Sequence, residues 1–182
     1  MLSKTDLQMN ERAAREAVQA AYMEYNLRYH DYVRNDIIVA INYREPSYRK
    51  RLYVMDLATG KIIRSHHCAH GVNSSKSTNR AYANKFSNRV MSKQTSLGAM
   101  KTGKVYRGAY GKSLKLHGLE PGVNNNVYKR FIVIHPSKYV SDPYILRNGR
   151  CGQSWGCPSI DYAISSSLID LIKEGTLVYA YY

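Results

Sequence analysis

The chain has 182 residues, with 27 Lys plus Arg against 13 Asp plus Glu, for a formal net charge of +14. Hydrophobic residues make up 44%, enough to pack one domain core, which excludes a mainly disordered chain. No apolar run approaches the roughly 18 residues of a transmembrane helix, and the charge points to a polyanionic partner: nucleic acid, an anionic membrane surface or an acidic wall polymer.

The first residues begin no secretory signal, because no apolar stretch precedes Asn10-Glu11-Arg12. The chain is therefore expected to be processed, cytosolic, or exported by another route. Residues 3–33 read as helical, with Ser3-x-x-Asp6 as a capping box. Leu7, Ala14, Ala17, Ala21 and Tyr25 recur near one face of it.

From Ile37 the character turns to β. Ile37 to Ile41 is a β-branched run. Arg51 to Leu57 and Ile62 to His66, joined by Ala58-Thr59-Gly60-Lys61, predict a hairpin. In its first arm Leu52, Val54 and Asp56 share one face, and Tyr53, Met55 and Leu57 the other. Residues 71–104 are rich in Ser, Asn, Lys and Gly and read as long loops. Leu114 to His117 is a short alternating strand, and Phe131 to Ile134 an apolar run typical of a buried central strand. Pro136 to Pro158 reads as a loop carrying Gly149, Gly152 and Gly156. Ile160 to Lys173 reads as a helix ended by Gly175, and Thr176 to Tyr182 as a final strand. The expectation is one mainly β domain at 37–182, with a helix near each end and residues 1–36 packed on it as a helical segment.

Three cysteines, Cys68, Cys151 and Cys157, are too few for a disulfide scaffold, and no C-x-x-C pair suggests a zinc knuckle. The sharpest chemical feature is Ser154-Trp155-Gly156-Cys157-Pro158. A thiol after glycine in a tight loop is surrounded by backbone N–H groups that can hold an oxyanion. His135 ends the most apolar strand, and an imidazole there can act as base toward a thiol. On spacing alone, an inert buried cysteine and a satisfied histidine explain the same residues.

Ile134-His135-Pro136 followed by Ser154-Trp155-Gly156-Cys157 resembles the signature of the L,D-transpeptidase catalytic domain, the YkuD-like fold, and is most similar to its murein subgroup. Upstream, Arg51 to Leu57, His70-Gly71, Phe86-Ser87-Asn88, Ser96-Leu97-Gly98, Leu116 to Glu120, Asn124 and the stretch from Arg130 to His135 also look like that pattern. The resemblance covers roughly residues 37–182. It implies a mainly β, sandwich-like domain acting on peptidoglycan stem peptides in the periplasm or cell wall, as a monomer without cofactor or metal. Cys157 matches the nucleophile and His135 the general base. Trp155, Gly156 and Cys157 would supply oxyanion donors, and Ser154 would steady their loop.

The sequence departs from the family in three places. Trp155 stands where many members have His, and Ser159 where many have Arg. Arg150 or Arg147 is the candidate replacement for the lost carboxylate contact. Pro136 follows the base, and its carbonyl still accepts a ring N–H. His117, Tyr106, Tyr110 and Asn124 complete the substrate-binding candidates. The implied reaction is transfer of a stem peptide to an amine acceptor, or to water in an L,D-carboxypeptidase or wall-attacking hydrolase.

Two other readings compete. His66, Cys68 and His70 alternate and invite a metal site with His117, although no carboxylate is near in sequence. Cys68 is otherwise a packed thiol, or a partner of Cys151 in an oxidising compartment. The charge and 17 tyrosines admit a non-enzymatic nucleic-acid binder. Scattered basic residues and the absence of any recognition motif argue against specific nucleic-acid binding.

Overall fold

The computed structural model describes residues 2–76 and 78–182. Helix α1 spans Glu11–Glu24, and the Asn10 side chain caps it by accepting the Ala13 N–H. It begins later than the sequence pattern predicts. Ser3 and Asp6 do exchange capping-box bonds, at 2.8 and 3.3 Å, but they close an isolated turn. The reason lies at Leu7, which is buried against Ala69, Val140, Ile145 and Cys151 in a cluster apart from the face α1 packs on. Past Glu24 the helix widens into a π turn, Tyr25–Tyr29.

The strands are β1 Ile37–Asn42, β2 Leu52–Asp56, β3 Ile62–His66, β4 His70–Gly71, β5 Gly98–Gly108, β6 Gly111–Gly118, β7 Val133–Pro136, β8 Gln153–Ser154, β9 Ser159–Ile160 and β10 Leu177–Tyr181. Eight form one sheet in the order β3-β2-β1-β10-β5-β6-β7-β9, while β4 and β8 pair separately. Helix α2 is Asp142–Asn148 and α3 is Tyr162–Ile172.

Strand alternation divides the interior into two cores. Ile38, Ala40, Tyr53, Met55, Ala99 and Leu177 face α1, where Ala14, Ala17 and Ala21 let the helix backbone approach the sheet. Ile37, Val39, Ile41, Leu52, Val54 and Val178 face the opposite way. On that side they share one cluster with Leu114, Leu116, Ile134 and Ile160 from the other half of the sheet, and with Leu168, Ile169 and Ile172 of α3. The sheet therefore curls over this core, giving the mainly β, sandwich-like fold expected, with its N-terminal helix and a short helix near the C-terminus. The predicted hairpin, the face assignment of Leu52 to Met55, and the final strand are as the sequence pattern indicates.

Three local expectations are corrected. Strand β5 starts at Gly98, inside the stretch read as loops. Its Gly- and Lys-rich sequence has little β propensity, but β10 and β6 pair with it on both sides and hold it extended. Strand β7 starts at Val133 and lies next to the short β9 at the end of the sheet. Phe131 is outside it, 84% exposed, with φ at +55°. The segment 136–158 contains α2, which a left-handed Gly149 ends. Cys68 and Cys151 are both free, buried thiols, and Cys151 bonds the Ser47 carbonyl at 2.9 Å. No helix among the described residues is long and apolar enough to cross a membrane.

Candidate active site

His135 lies in β7, buried, and β9 pairs parallel with β7 so that Ser159 is its register partner. Its Nδ1–H donates to the Pro136 carbonyl at 2.9 Å. Proline lacks only the donor, so this acceptor survives the substitution. The bond fixes the tautomer and leaves the lone pair on Nε2. Ser159 Oγ lies 3.0 Å from Nε2, and Tyr139 Oη lies 3.1 Å from Ser159 Oγ. The Tyr110 ring stacks on the imidazole at 4.7 Å. Burial lowers the His135 pKa against a smaller opposing effect of the Pro136 bond, so the resting ring is neutral.

Cys157 is half-buried and packs on the main core. Its thiol is directed at the Phe131 carbonyl, 3.6 Å away. Burial raises the thiol pKa, while the Val133 N–H and the Arg130 guanidinium act in the opposite direction. At rest, therefore, Cys157 is a thiol and His135 a neutral imidazole, each turned to its own partner, Phe131 and Ser159. Cys157 is not the thiolate that an imidazole partner can produce near neutral pH.

The loop before Cys157 is held from within. Ser154 Oγ accepts the Gly156 N–H at 3.1 Å and donates to the Cys157 carbonyl at 2.7 Å. The Gly156 N–H is thereby occupied. Those of Trp155 and Cys157 reach no backbone carbonyl among the described residues and remain for an oxyanion. Gly156 has φ at +119°, and a Cβ there would lie 2.7 Å from the Gln94 carbonyl. The chain needs glycine at this position for both reasons.

A cavity of about 250 Å³ opens at this edge, lined by Tyr110, His135, Tyr139, Gln153, Ser154 and Trp155. Trp155 is 71% exposed, with the Lys93 ammonium 4.4 Å from its ring. Of the expected site residues, the structure thus gathers His135, Tyr110, Ser154 and Trp155, with Gly156 and Cys157 on the adjoining loop.

The others lie elsewhere. Tyr106 lines a separate cavity of about 240 Å³ behind Phe131 to Val133. His117 stacks on Tyr128 at 5.0 Å and lines a third, basic cavity with Lys101, Lys104 and Lys115. Asn124 is buried, and its amide is spent on Leu97 and Ala99 carbonyls and the Glu120 N–H, which leaves nothing for a ligand. Arg150 bonds the Cys151 carbonyl at 2.9 Å, and Arg147 is exposed on α2; neither lines the His135 cavity.

The residues proposed for a metal are dispersed. His70 Nδ1 faces the buried Arg51 guanidinium at 2.8 Å, and Cys68 lies in the main core. His66 lines a distant cavity with His67. Among the described residues no group of three metal-ligating side chains gathers.

Sequence reading missed Tyr139 and Gln153, and it included Arg130 in the 130–135 resemblance without a role. Arg130 bonds the Ser87 and Gln94 carbonyls and the Ser92 and Ser96 hydroxyls, clamping the segment 87–96 over Gly156. Nothing local marks Tyr139 or Gln153, or shows what Arg130 bonds, since the partners are distant in sequence.

A curled, mainly β sheet thus presents a tautomer-locked imidazole in a cavity, and the loop that borders this cavity carries a glycine-flanked thiol. The chain belongs to the L,D-transpeptidase catalytic domain family, whose profile matches residues 8–181 and so includes α1. Among solved structures it is similar to the L,D-transpeptidase from Mycobacterium smegmatis, with TM-score 0.48 and 10% identity over 81% of this chain and 59% of that one. It is also similar to the L,D-transpeptidase from Xylanimonas cellulosilytica, with TM-score 0.45 and 15% identity over 93% of this chain and 77% of that one. The chain thus spans less than two thirds of the mycobacterial chain. No curated protein matches it.

Proposed function

We propose that the chain is an L,D-transpeptidase that forms a thioester on Cys157 with a peptidoglycan stem peptide and transfers it to an amine. The observation that carries the reading is the tautomer of His135. Its Nδ1–H is committed to Pro136, which leaves Nε2 as the basic atom of a ring that lines the cavity beside the Cys157 loop.

In this reading His135 Nε2 takes the thiol proton as sulfur attacks the carbonyl of the third stem residue. Because the resting pair is neutral, proton transfer accompanies attack. The free N–H groups of Trp155 and Cys157 stabilise the oxyanion. The C–N bond to the D-amino acid then breaks, and its nitrogen leaves with the proton from His135. An acceptor amine attacks the thioester, forming an amide and returning a proton through His135 to the sulfur. The substrate lies in the periplasm or wall, where a +14 chain is attracted to anionic polymer.

Incubation with tetrapeptide muropeptides and mass spectrometry tests this reading. A cross-linked dimer is the expected product, absent with Cys157→Ala. A tripeptide alone would make the enzyme an L,D-carboxypeptidase, and full turnover by Cys157→Ala would overturn the assignment of the nucleophile.

A further inference from the structure

His135 must carry a positive charge during the proposed reaction, yet it is buried, and burial lowers its pKa. Among the described residues no carboxylate bonds the ring. The groups facing the ring are the stacked Tyr110 from the β5–β6 turn, Ser159 on β9 with Tyr139 behind it, and the loop bearing Cys157.

We propose that Ser159 and Tyr139 are positioning residues, a two-hydroxyl relay that supports the His135 imidazolium in place of a carboxylate; this rests on the assignment of His135 as base. In the resting state the directions are forced. Nδ1–H donates to Pro136, so Nε2 can only accept. Ser159 O–H donates to it, and Tyr139 O–H donates to Ser159. The thiol reaches the single lone pair of Nε2 only when Ser159 turns its proton away. Ser159 is fully buried, and among the described residues the acceptor it has in that direction is the Tyr139 oxygen.

Once Nε2 has taken the Cys157 proton, N–H donates to Ser159, Ser159 O–H donates to Tyr139, and Tyr139 O–H turns into the cavity that it lines. Only the S–H bond breaks and only the N–H bond forms; both hydroxyls keep their protons. The relay favours the charged ring because a charge-assisted bond is the stronger one, and a buried Ser159 proton without Tyr139 would be orphaned. Tyr139 is fixed for this task. Its carbonyl accepts the Gly152 N–H at 2.8 Å, and Gly152 approaches so closely that a Cβ would lie 2.6 Å from the Tyr139 Cβ.

The test compares Tyr139→Phe, Ser159→Ala and Ser159→Thr in the full chain. The His135 titration is read by nitrogen NMR without substrate, and thioester formation with a muropeptide donor is read across pH. Tyr139→Phe and Ser159→Ala are expected to lower the His135 pKa by about half a unit or more. They should also slow acylation about tenfold, with donor KM unchanged. Ser159→Thr should retain both properties. An unchanged His135 titration in Tyr139→Phe, with the ring still titrating in the wild type, would overturn the relay. Undiminished acylation by His135→Ala would instead overturn the base assignment, while the NMR titration would still report on the hydroxyls.

Discussion

Gly156 combines two constraints that no other residue type satisfies together. Its φ is +119°, and a Cβ would press on both the Gln94 carbonyl and the Ile132 side chain, at 2.7 and 2.9 Å. Gly156→Ala is expected to cost about 1–3 kcal/mol of stability, the scale of a strained backbone residue. It should also abolish thioester formation, because relief of the contact displaces the N–H groups beside Cys157. Urea midpoints and acylation rates check the two effects separately, and wild-type acylation by a destabilised variant would refute the positional argument. Ser154 shows the same economy on its other side. One hydroxyl accepts from Gly156 and donates to Cys157, closing the loop on itself.

At the scale of elements, the parallel pairing of β7 and β9 places His135 opposite Ser159, two residues beyond Cys157. A rigid strand thus sets the imidazole, and a short loop brings back the thiol. The segment 87–96 closes over Gly156; residues 71–74 and 125–126 bond it from two sides, and a half-buried cation, Arg130, ties its two ends together. Arg130 reaches four acceptors in that segment, while Met91 and Lys93 within it have φ at +61° and +54°. Arg130→Ala should leave these acceptors unpaired and speed amide exchange across 87–96 about tenfold, with little change in α3. It should also raise the Cys157 pKa further, since the cation opposing burial is gone. Exchange confined to its wild-type rate would show that the segment is held by something else.

For the whole molecule, burial of histidines sets the response to acid. His66 is lowered to about 4 and His70 to about 2, both chiefly by burial. The unfolded chain binds protons near the ordinary value of 6.5 while the folded chain does not. Stability is therefore fully present above about 6.5 and falls as the pH drops, for His66 until about 4 and for His70 further. The shifted aspartates, all lowered from 3.8, act only below that window. The urea midpoint is expected to fall steadily from pH 7 to pH 4.5, and a flat midpoint over that range would refute the histidine account.

Much of the frame is legible in the sequence because it depends on local periodicity. Ile37 to Ile41, the 52–66 hairpin, α3 and β10 announce themselves by apolar spacing and turn residues. His135 and the Cys157 loop are legible through motif resemblance, and the resting tautomer follows from the fact that proline keeps its carbonyl. Strand β5 is not, because its pairing comes from β10 and β6 and not from its own Gly- and Lys-rich residues. Asn124 reads equally well as a ligand contact or a core bond, and only burial separates the two.

The amino-acid order by itself determined the mainly β frame, the basic charge and the presence of a strand-borne imidazole and a glycine-flanked thiol. Tertiary structure decided what those groups are at rest. Burial keeps the thiol protonated and the imidazole neutral, Arg130 clamps the covering segment, and Ser159, backed by Tyr139, occupies Nε2 of His135. Each of these depends on desolvation and on partners at least about twenty residues apart, with the single exception of His135 and its own neighbour. Such distances carry no periodic signal, and the curled sheet alone brings them within a hydrogen bond.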